Sequence, residues 1–444
     1  MDRWSVSSLP VTSSDQKRQA LRFFTHHTVD NIPQLSRLDE EDRFAIRVVS
    51  QVLPFRVNQH VIDQLIDWEQ APDDPMFRLV FPQREMLEDE HYRSMADLMK
   101  RDAPAAERRA LAYEIRQDLN PHPAGQMTLN VPKVGNEKLE GAQHKYRETI
   151  LFFPSQGQTC HSYCTFCFRW AQFVEDKDLR MATREVATLH EYLQSHLELT
   201  DLLVTGGDPM IMKSSRLVEY LQPLMKDDFQ HIQNIRIGTK ALTFWPYRFV
   251  TDPDADQVLD LFRELVQAGK HVAVMAHFEH WREFEGDITR QAIQRILDTG
   301  AVIRTQAPVL QHINDDAEVW ARMWREQVQL GMVPYYMFVE RDTGARRYFE
   351  LPLEKAWQIY RDAMKQVSGL ARTARGPSMS AQPGKVEIQG VTEVAGEKVF
   401  VLRFIQARNP EWVQRPFFAK YDPNAAWLDQ LQPAFGADKF FYES

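Results

Sequence analysis

The chain has 444 residues, 43% of them hydrophobic and 26% charged, with a net charge of −9 and a pI near 5.9. It is too long for one small core and too apolar to be disordered, so two or three domains, or one barrel with additions, are expected. The acidic balance argues against nucleic acid as the main partner. No apolar run approaches the roughly 18 residues of a membrane helix, and the first residues show no secretion signal, so the cytoplasm is the expected compartment.

Residues 1–145 read as a mainly helical, polar domain broken by turns such as APDDP and NPHPAG. From 146 to 369, short apolar runs alternate with amphipathic stretches. The runs TILFF (149–153), DLLVT (201–205), NIRIG (234–238), HVAVMA (271–276), AVIRT (301–305) and VPYYMF (333–338) are predicted strands. Between them, Val258, Leu261, Phe262, Leu265 and Val266 keep helical spacing, as do Ala292, Ile293, Ile296 and Leu297. These helices end at Gly269 and Gly300, residues suited to a left-handed cap, and Gly331 extends the series at a step of 31 residues. Each step holds one helix and one strand. Six such βα units predict a parallel sheet curling into a partial (β/α)6 barrel with its chemistry at the C-terminal strand ends; a flat doubly wound sheet is the alternative. Residues 370–444 are expected to form a small C-terminal domain, with KVEIQG and EKVFVLRF as a β-hairpin joined by VTEVAG, followed by an aromatic, proline-rich tail.

The three cysteines of the chain, Cys160, Cys164 and Cys167, all lie in TCHSYCTFCFRW, just after the first strand of the row. In a reducing compartment this is a metal or redox site and not a disulfide frame. Three thiolates can hold three irons of a [4Fe–4S] cluster, which normally takes four cysteines. No fourth cysteine exists, so one iron stays open to a small molecule. Structural zinc completed by His161 or His144 is the alternative, and three ligands within eight residues fit it poorly. A second motif, DLLVTGGDPM, follows the next strand. Gly206 and Gly207 let backbone approach a ligand closely, and Asp208 offers a carboxylate to an ammonium.

The triplet, with aromatic Phe166 before its last cysteine, resembles the signature of radical S-adenosylmethionine (SAM) enzymes. The resemblance implies SAM on the open iron, cleaved by one electron to a 5′-deoxyadenosyl radical. It also implies that Gly206, Gly207 and Asp208 contact SAM, and that flavodoxin or ferredoxin is the electron donor. QHKY (143–146), CFR (167–169), TGGDP, RIGTK (236–240), AHFEH (276–280), VIRTQAPVL then INDD, and PYYMF (334–338) stand in the order of the lysine 2,3-aminomutase family, over about residues 70–390. Members carry pyridoxal 5′-phosphate (PLP) on a lysine beyond the barrel, which maps to Lys385 in GPSMSAQPGKVEIQG. Such a carbonyl cofactor gives the migrating nitrogen a π-bond. Arg169 matches the arginine that holds the substrate α-carboxylate, Lys145 a basic residue near the PLP phosphate, and Gln306 a strand-end glutamine near SAM. The plain alternatives are a surface lysine after a Pro-Gly turn for Lys385 and a salt bridge at the barrel mouth for Arg169.

The implied activity is PLP-dependent migration of an amino group from the α- to the β-carbon of an amino acid. Lysine-acting members hold the distal ammonium with two aspartates. Ungapped matching puts Arg341 at the first position and Ser378 at the second, which leaves a buried distal ammonium repelled and unpaired. The distal end of the substrate is therefore expected to be anionic or neutral, glutamate-like. Asp342 would restore the acid after a one-residue shift. The family's C-terminal zinc-binding cysteines are missing, so any homo-oligomer needs other contacts. Other radical chemistry on the same scaffold (lyase, epimerase or modification), and a non-enzymatic zinc-stabilised interaction module, are the competing readings.

Overall fold

A computed structural model of the protein describes residues 19–120, 130–135, 137–174 and 186–443. The NPHPAG turn beyond Asn120 and the N-terminal stretch to residue 18 lie outside them. A short antiparallel pair, β1 (Phe23–Thr25) and β2 (Arg56–Asn58), opens the chain, and a second links β3 (Lys133–Val134) to β4 (Glu137–Lys138). The main sheet holds eleven strands: β5 (Ala142–Tyr146), β6 (Thr149–Phe152), β7 (Asp201–Val204), β8 (Asn234–Thr239), β9 (His271–His277), β10 (Val302–Val309), β11 (Val333–Val339), β12 (Arg375–Ser380), β13 (Gly384–Val394), β14 (Glu397–Ala407) and β15 (Pro416–Lys420).

All six predicted strands are present as β6 to β11, hydrogen-bonded in sequence order and parallel throughout. β12 adds one more parallel strand, and β5 an antiparallel one at the other edge. In a flat sheet, β5 and β12 would lie about 34 Å apart at the usual strand spacing. Yet Lys145 Nζ on β5 donates to the Ala381 carbonyl just past β12 at 2.6 Å. The sheet therefore bends round on itself.

The helical repeat has a packing reason. Helices Ala255–Gln267 and Asp287–Leu297 bury Val258, Leu261, Phe262 and Leu265, and Ala292, Ile293 and Ile296, against the sheet. Gly269, Gly300 and Gly331 take φ of +85°, +86° and +81°, as the cap position requires. A Cβ on Gly331 would lie 2.9 Å from Leu297, and one on Gly300 3.0 Å from Val266, so each cap also presses on the end of the preceding helix. Among the described residues no helix is long and apolar enough to cross a membrane.

The N-terminal helices share a core with Trp170, Phe244, Leu310 and Phe349, which lie on segments following β6, β8, β10 and β11. This layer therefore covers the C-terminal strand ends. The C-terminal hairpin departs from expectation in two ways. VTEVAG is mostly strand, because Ala395 and Gly396 alone turn the chain, with φ of +51° and +80°; that is the two-residue turn whose twist suits a hairpin. The hairpin also continues the main sheet, since β13 pairs antiparallel with β12. Its other face packs a core of its own around Val386, Phe400, Leu402, Phe404 and Trp427.

Candidate active site

Cys160, Cys164 and Cys167 are unpaired and partly covered, on the loop that leaves the end of β6. The N-terminal layer holds this loop through backbone groups. Arg56 Nη1 donates to Thr159 Oγ1 at 2.6 Å and to the Cys160 carbonyl at 3.3 Å. Tyr163 N donates to the Arg56 carbonyl at 2.8 Å, and Thr165 N to that of Leu79 at 3.0 Å. Asn58 Nδ2 donates to the His161 carbonyl at 3.0 Å. Burial pushes the Cys167 thiol up to about 11 and those of Cys160 and Cys164 well above their usual range. Thiols so placed ionise only with a cation beside them, and a three-thiol set fits a cluster with one iron left free of protein. Of the two histidines suited to zinc, one is occupied and the other is packed on a tryptophan ring. His144 has Tyr192 Oη at 2.7 Å and the Arg147 carbonyl at 3.1 Å on its two ring nitrogens; His161 is stacked on Trp245. Among the described residues no three His, Cys, Asp or Glu side chains form the convergent set a single metal ion needs.

Gly206 and Gly207 are required by protein packing. A Cβ on Gly206 would lie 2.6 Å from Gln158 Nε2, and one on Gly207 2.6 Å from the Thr159 carbonyl oxygen. The turn after β7 thus presses on the start of the cysteine loop. Asp208 is buried, and its carboxylate accepts from Met210 N at 2.9 Å, Thr239 Oγ1 at 2.7 Å and Lys240 N at 2.9 Å. Burial raises it to about 6 in spite of these donors. A carboxylate has about four acceptor sites, so little capacity is left for an ammonium. Asp208→Asn sets an amide N–H against either Lys240 N or the Met210 and Thr239 donors. A loss of about 1–3 kcal/mol in denaturant unfolding is expected; unchanged stability would mean that these three hydrogen bonds do not help hold the fold.

Beyond Asp208 lies a cluster that spacing does not reveal. Lys240 Nζ, at the end of β8, is ion-paired with both Glu279 and Glu283, which are fully buried beyond β9. Thr243 Oγ1 also donates to Glu283, at 2.8 Å. Burial alone would depress Lys240, but the two carboxylates outweigh it and hold its pKa up; burial raises Glu279 against the pull of Lys240. Glu279 Oε1 has no hydrogen-bond partner and lies 4.0 Å from His277 Nδ1. His277 Nε2 in turn lies 2.8 Å from Gln306 Nε2. Glu340, just past β11, is buried and its pKa is pushed well up by that burial. Burial holds His60 down to about 4, and His277 and His280 to about 3. The unfolded chain protonates such groups near 6.5. The histidine contribution to stability is therefore full above that pH and lost as pH falls from about 6.5 toward 4, because the unfolded state binds the protons first. The raised carboxylates of Asp208, Glu279 and Glu340 act in the opposite sense. The check is therefore a His60→Gln variant, whose thermal melts should vary less steeply across that window on the acid side than those of the unaltered protein; an identical pH dependence would contradict the histidine contribution.

Lys385 begins β13 with its Nζ 4.0 Å from the centre of the Tyr336 ring and 5.2 Å from that of Phe338. Burial, then Arg236, Arg375 and Lys145, hold its pKa well below the usual lysine range. Lys145 is itself brought down to about 7 by burial and by Arg408 and Arg341. An easily deprotonated amine among cations is suited to a carbonyl compound bearing anionic groups, which PLP is. Arg169 and Arg341 converge on Phe168, with guanidinium carbons 5.3 and 5.5 Å from its ring centre. Burial lowers Arg169 to about 10, and Arg341 adds to that. Arg341 Nε is buried without a hydrogen-bond partner; Asp342, the alternative acid, lies 3.7 Å from it as its counter-ion. Ser378 is fully buried on β12 beside Phe338, and its hydroxyl has no partner. Buried polar atoms left unpaired in this number mark a region built for a ligand.

This is an α/β enzyme layout, with chemistry at the C-terminal ends of adjacent parallel strands. No family model matches the chain. It is 31% identical, over 89% of its length and 92% of the relative's, to the Aquifex aeolicus protein named "Putative L-lysine 2,3-aminomutase". It is 23% identical to the L-lysine 2,3-aminomutase of Escherichia coli, over 81% of this chain and 90% of that one. Against the glutamate 2,3-aminomutase of Clostridioides difficile it is 24% identical, over 48% of this chain and 47% of that one. The chain belongs to the lysine 2,3-aminomutase family of radical SAM enzymes, as a divergent member.

Proposed function

We propose that the protein is a PLP-dependent radical SAM aminomutase on a partial (β/α)6 barrel, moving the amino group of an α-amino acid from the α- to the β-carbon. The distal end of its substrate is anionic or neutral. One observation carries this reading: a half-buried Lys385 amine ringed by cations belongs to the same bent sheet whose first βα loop carries three thiols. Cys160, Cys164 and Cys167 would hold three irons and leave the fourth to SAM. Bound cluster and SAM supply a carbon radical, and bound PLP a π-system for the migrating nitrogen.

The side chains have distinct tasks. Lys385, with its lowered pKa, gives up its proton more readily than an ordinary lysine and so offers a lone pair more easily. Arg169 offers a fork to the α-carboxylate. Arg341 and Ser378 face the distal end; a guanidinium there repels an ammonium and attracts a carboxylate. Lys240, with Glu279 and Glu283, fixes the ends of β8 and β9 beside the cluster loop, and His277 orients Gln306 toward SAM. The N-terminal layer over the strand ends shields the radical from water. Flavodoxin or ferredoxin is the proposed electron donor.

The decisive experiment is anaerobic reconstitution with iron, sulfide, SAM and PLP, followed by a panel of amino acids read by mass spectrometry and NMR. A β-amino acid from a dicarboxylic substrate and none from lysine is expected. Equal turnover of lysine and glutamate would defeat the distal-end assignment, and no β-amino acid from any substrate would defeat the aminomutase reading.

A further inference from the structure

Two arginines inside the bend are not used by the reaction as described. On β10, Ile303 packs in the core outside the sheet and Thr305 Oγ1 donates to Gln327 of the covering helix at 2.7 Å. Strand alternation therefore turns Arg304 to the inner side. Its guanidinium carbon lies 5.3 Å from the centre of the Tyr335 ring. Arg375, which opens β12, reaches the same ring at 4.5 Å and the Tyr336 ring at 4.2 Å. Lys385 Nζ lies against that same Tyr336 ring, at 4.0 Å. Arg236 differs from these two, since Asp201 takes its Nε at 2.8 Å. Neither Arg304 nor Arg375 is paired with a carboxylate among the described residues.

Two unpaired guanidiniums on one ring, beside the Lys385 amine, repel one another until an anion lies between them. A phosphate monoester suits that space, because it carries close to two negative charges and three acceptor oxygens, and guanidinium forks bind it in bidentate fashion. The substrate carboxylates are provided for elsewhere, at Arg169 and Arg341 around Phe168. Lys145, the basic residue expected near the phosphate, already donates to the Ala381 carbonyl. We infer that Arg304 and Arg375, braced on Tyr335, form the phosphate subsite for the cofactor that Lys385 carries. This rests on the proposed assignment of PLP to Lys385.

The test separates the two claims. Protein as purified is titrated with PLP and with pyridoxal, which lacks the phosphate, then reduced with borohydride and mapped by peptide mass spectrometry. Both aldehydes are expected to mark Lys385 in the unaltered protein. Added inorganic phosphate should weaken marking by PLP and not by pyridoxal. Arg375→Gln and Arg304→Gln should each weaken PLP binding roughly tenfold or more, the scale of a charge-assisted hydrogen bond, and leave pyridoxal unaffected, with Arg375→Lys recovering part of the loss. Lys385 marked normally by PLP in both Gln variants, with no competition by phosphate, overturns the subsite alone. An unaltered protein marked by neither aldehyde at Lys385 overturns the assignment of the cofactor, and the subsite with it. If a variant loses marking by both aldehydes through misfolding, phosphate competition in the unaltered protein still decides.

Discussion

Cys164→Ala protein, reconstituted anaerobically with iron and sulfide, is expected to lose its cluster and to release no 5′-deoxyadenosine from SAM. The chain has no spare thiol: its three cysteines are all in this loop. The nearby charges cannot substitute. Lys240 is a cation, and Glu279 and Glu283 are already bound to it. The loss should therefore go well beyond the roughly 10–100-fold that follows removal of an outer partner of a metal ligand. Iron per protein, visible absorbance and deoxyadenosine by chromatography are the readouts. A four-iron cluster of normal stability in the variant would mean that Cys164 is not a ligand.

Lys385→Ala should be as damaging, through the other half of the site. Without the amine no covalent hold on PLP remains, and formation of β-amino acid should fall to background. Iron content should be unaffected, because the cysteine loop follows β6 whereas Lys385 begins β13, and the loop is anchored by Arg56, Asn58 and Leu79. Conversely, Cys164→Ala should keep its borohydride-trapped pyridoxyl mark on Lys385. This crossed pattern distinguishes two local losses from general unfolding. A variant lacking Lys385 that still binds PLP covalently would move the site to another amine, with Lys145, at about 7, the first to examine.

Much of this was legible in the residues. The 31-residue spacing of Gly269, Gly300 and Gly331 reports a repeated helix–strand unit, because each glycine meets the same local demand, a positive φ at a helix end, and Gly300 and Gly331 also press on the helix of the unit before. The six strands follow from short apolar runs, and the cysteine triplet is informative because three thiols share one loop. What depends on local sequence could be read locally. The turn of the C-terminal hairpin was misjudged because VTEV mixes polar and apolar residues on both faces and is extended all the same, its backbone paired with β14.

Lys240, Glu279 and Glu283 were missed for a different reason. Lys240 stands in RIGTK, Glu279 in AHFEH and Glu283 just beyond it, and those two stretches supported the family resemblance without any chemistry attached. Each looks like a solvated charge until β8 and β9 lie side by side and place them together, buried. The same holds for Asp208: its residue type points to a cation ligand, but the fold turns three protein donors onto its carboxylate.

By itself the sequence determined the βα repeat, the triplet that can hold a cluster and the family to which the chain belongs, because these depend on spacing and order along the chain. Only the tertiary structure decided which charges lose their water and which side chains face one another across the bend. The contact of Lys145 with Ala381, and the approach of Arg304 and Arg375 to one tyrosine ring, depend on how far the sheet curls, and the curl is set by packing summed over the whole sheet and not by any one segment.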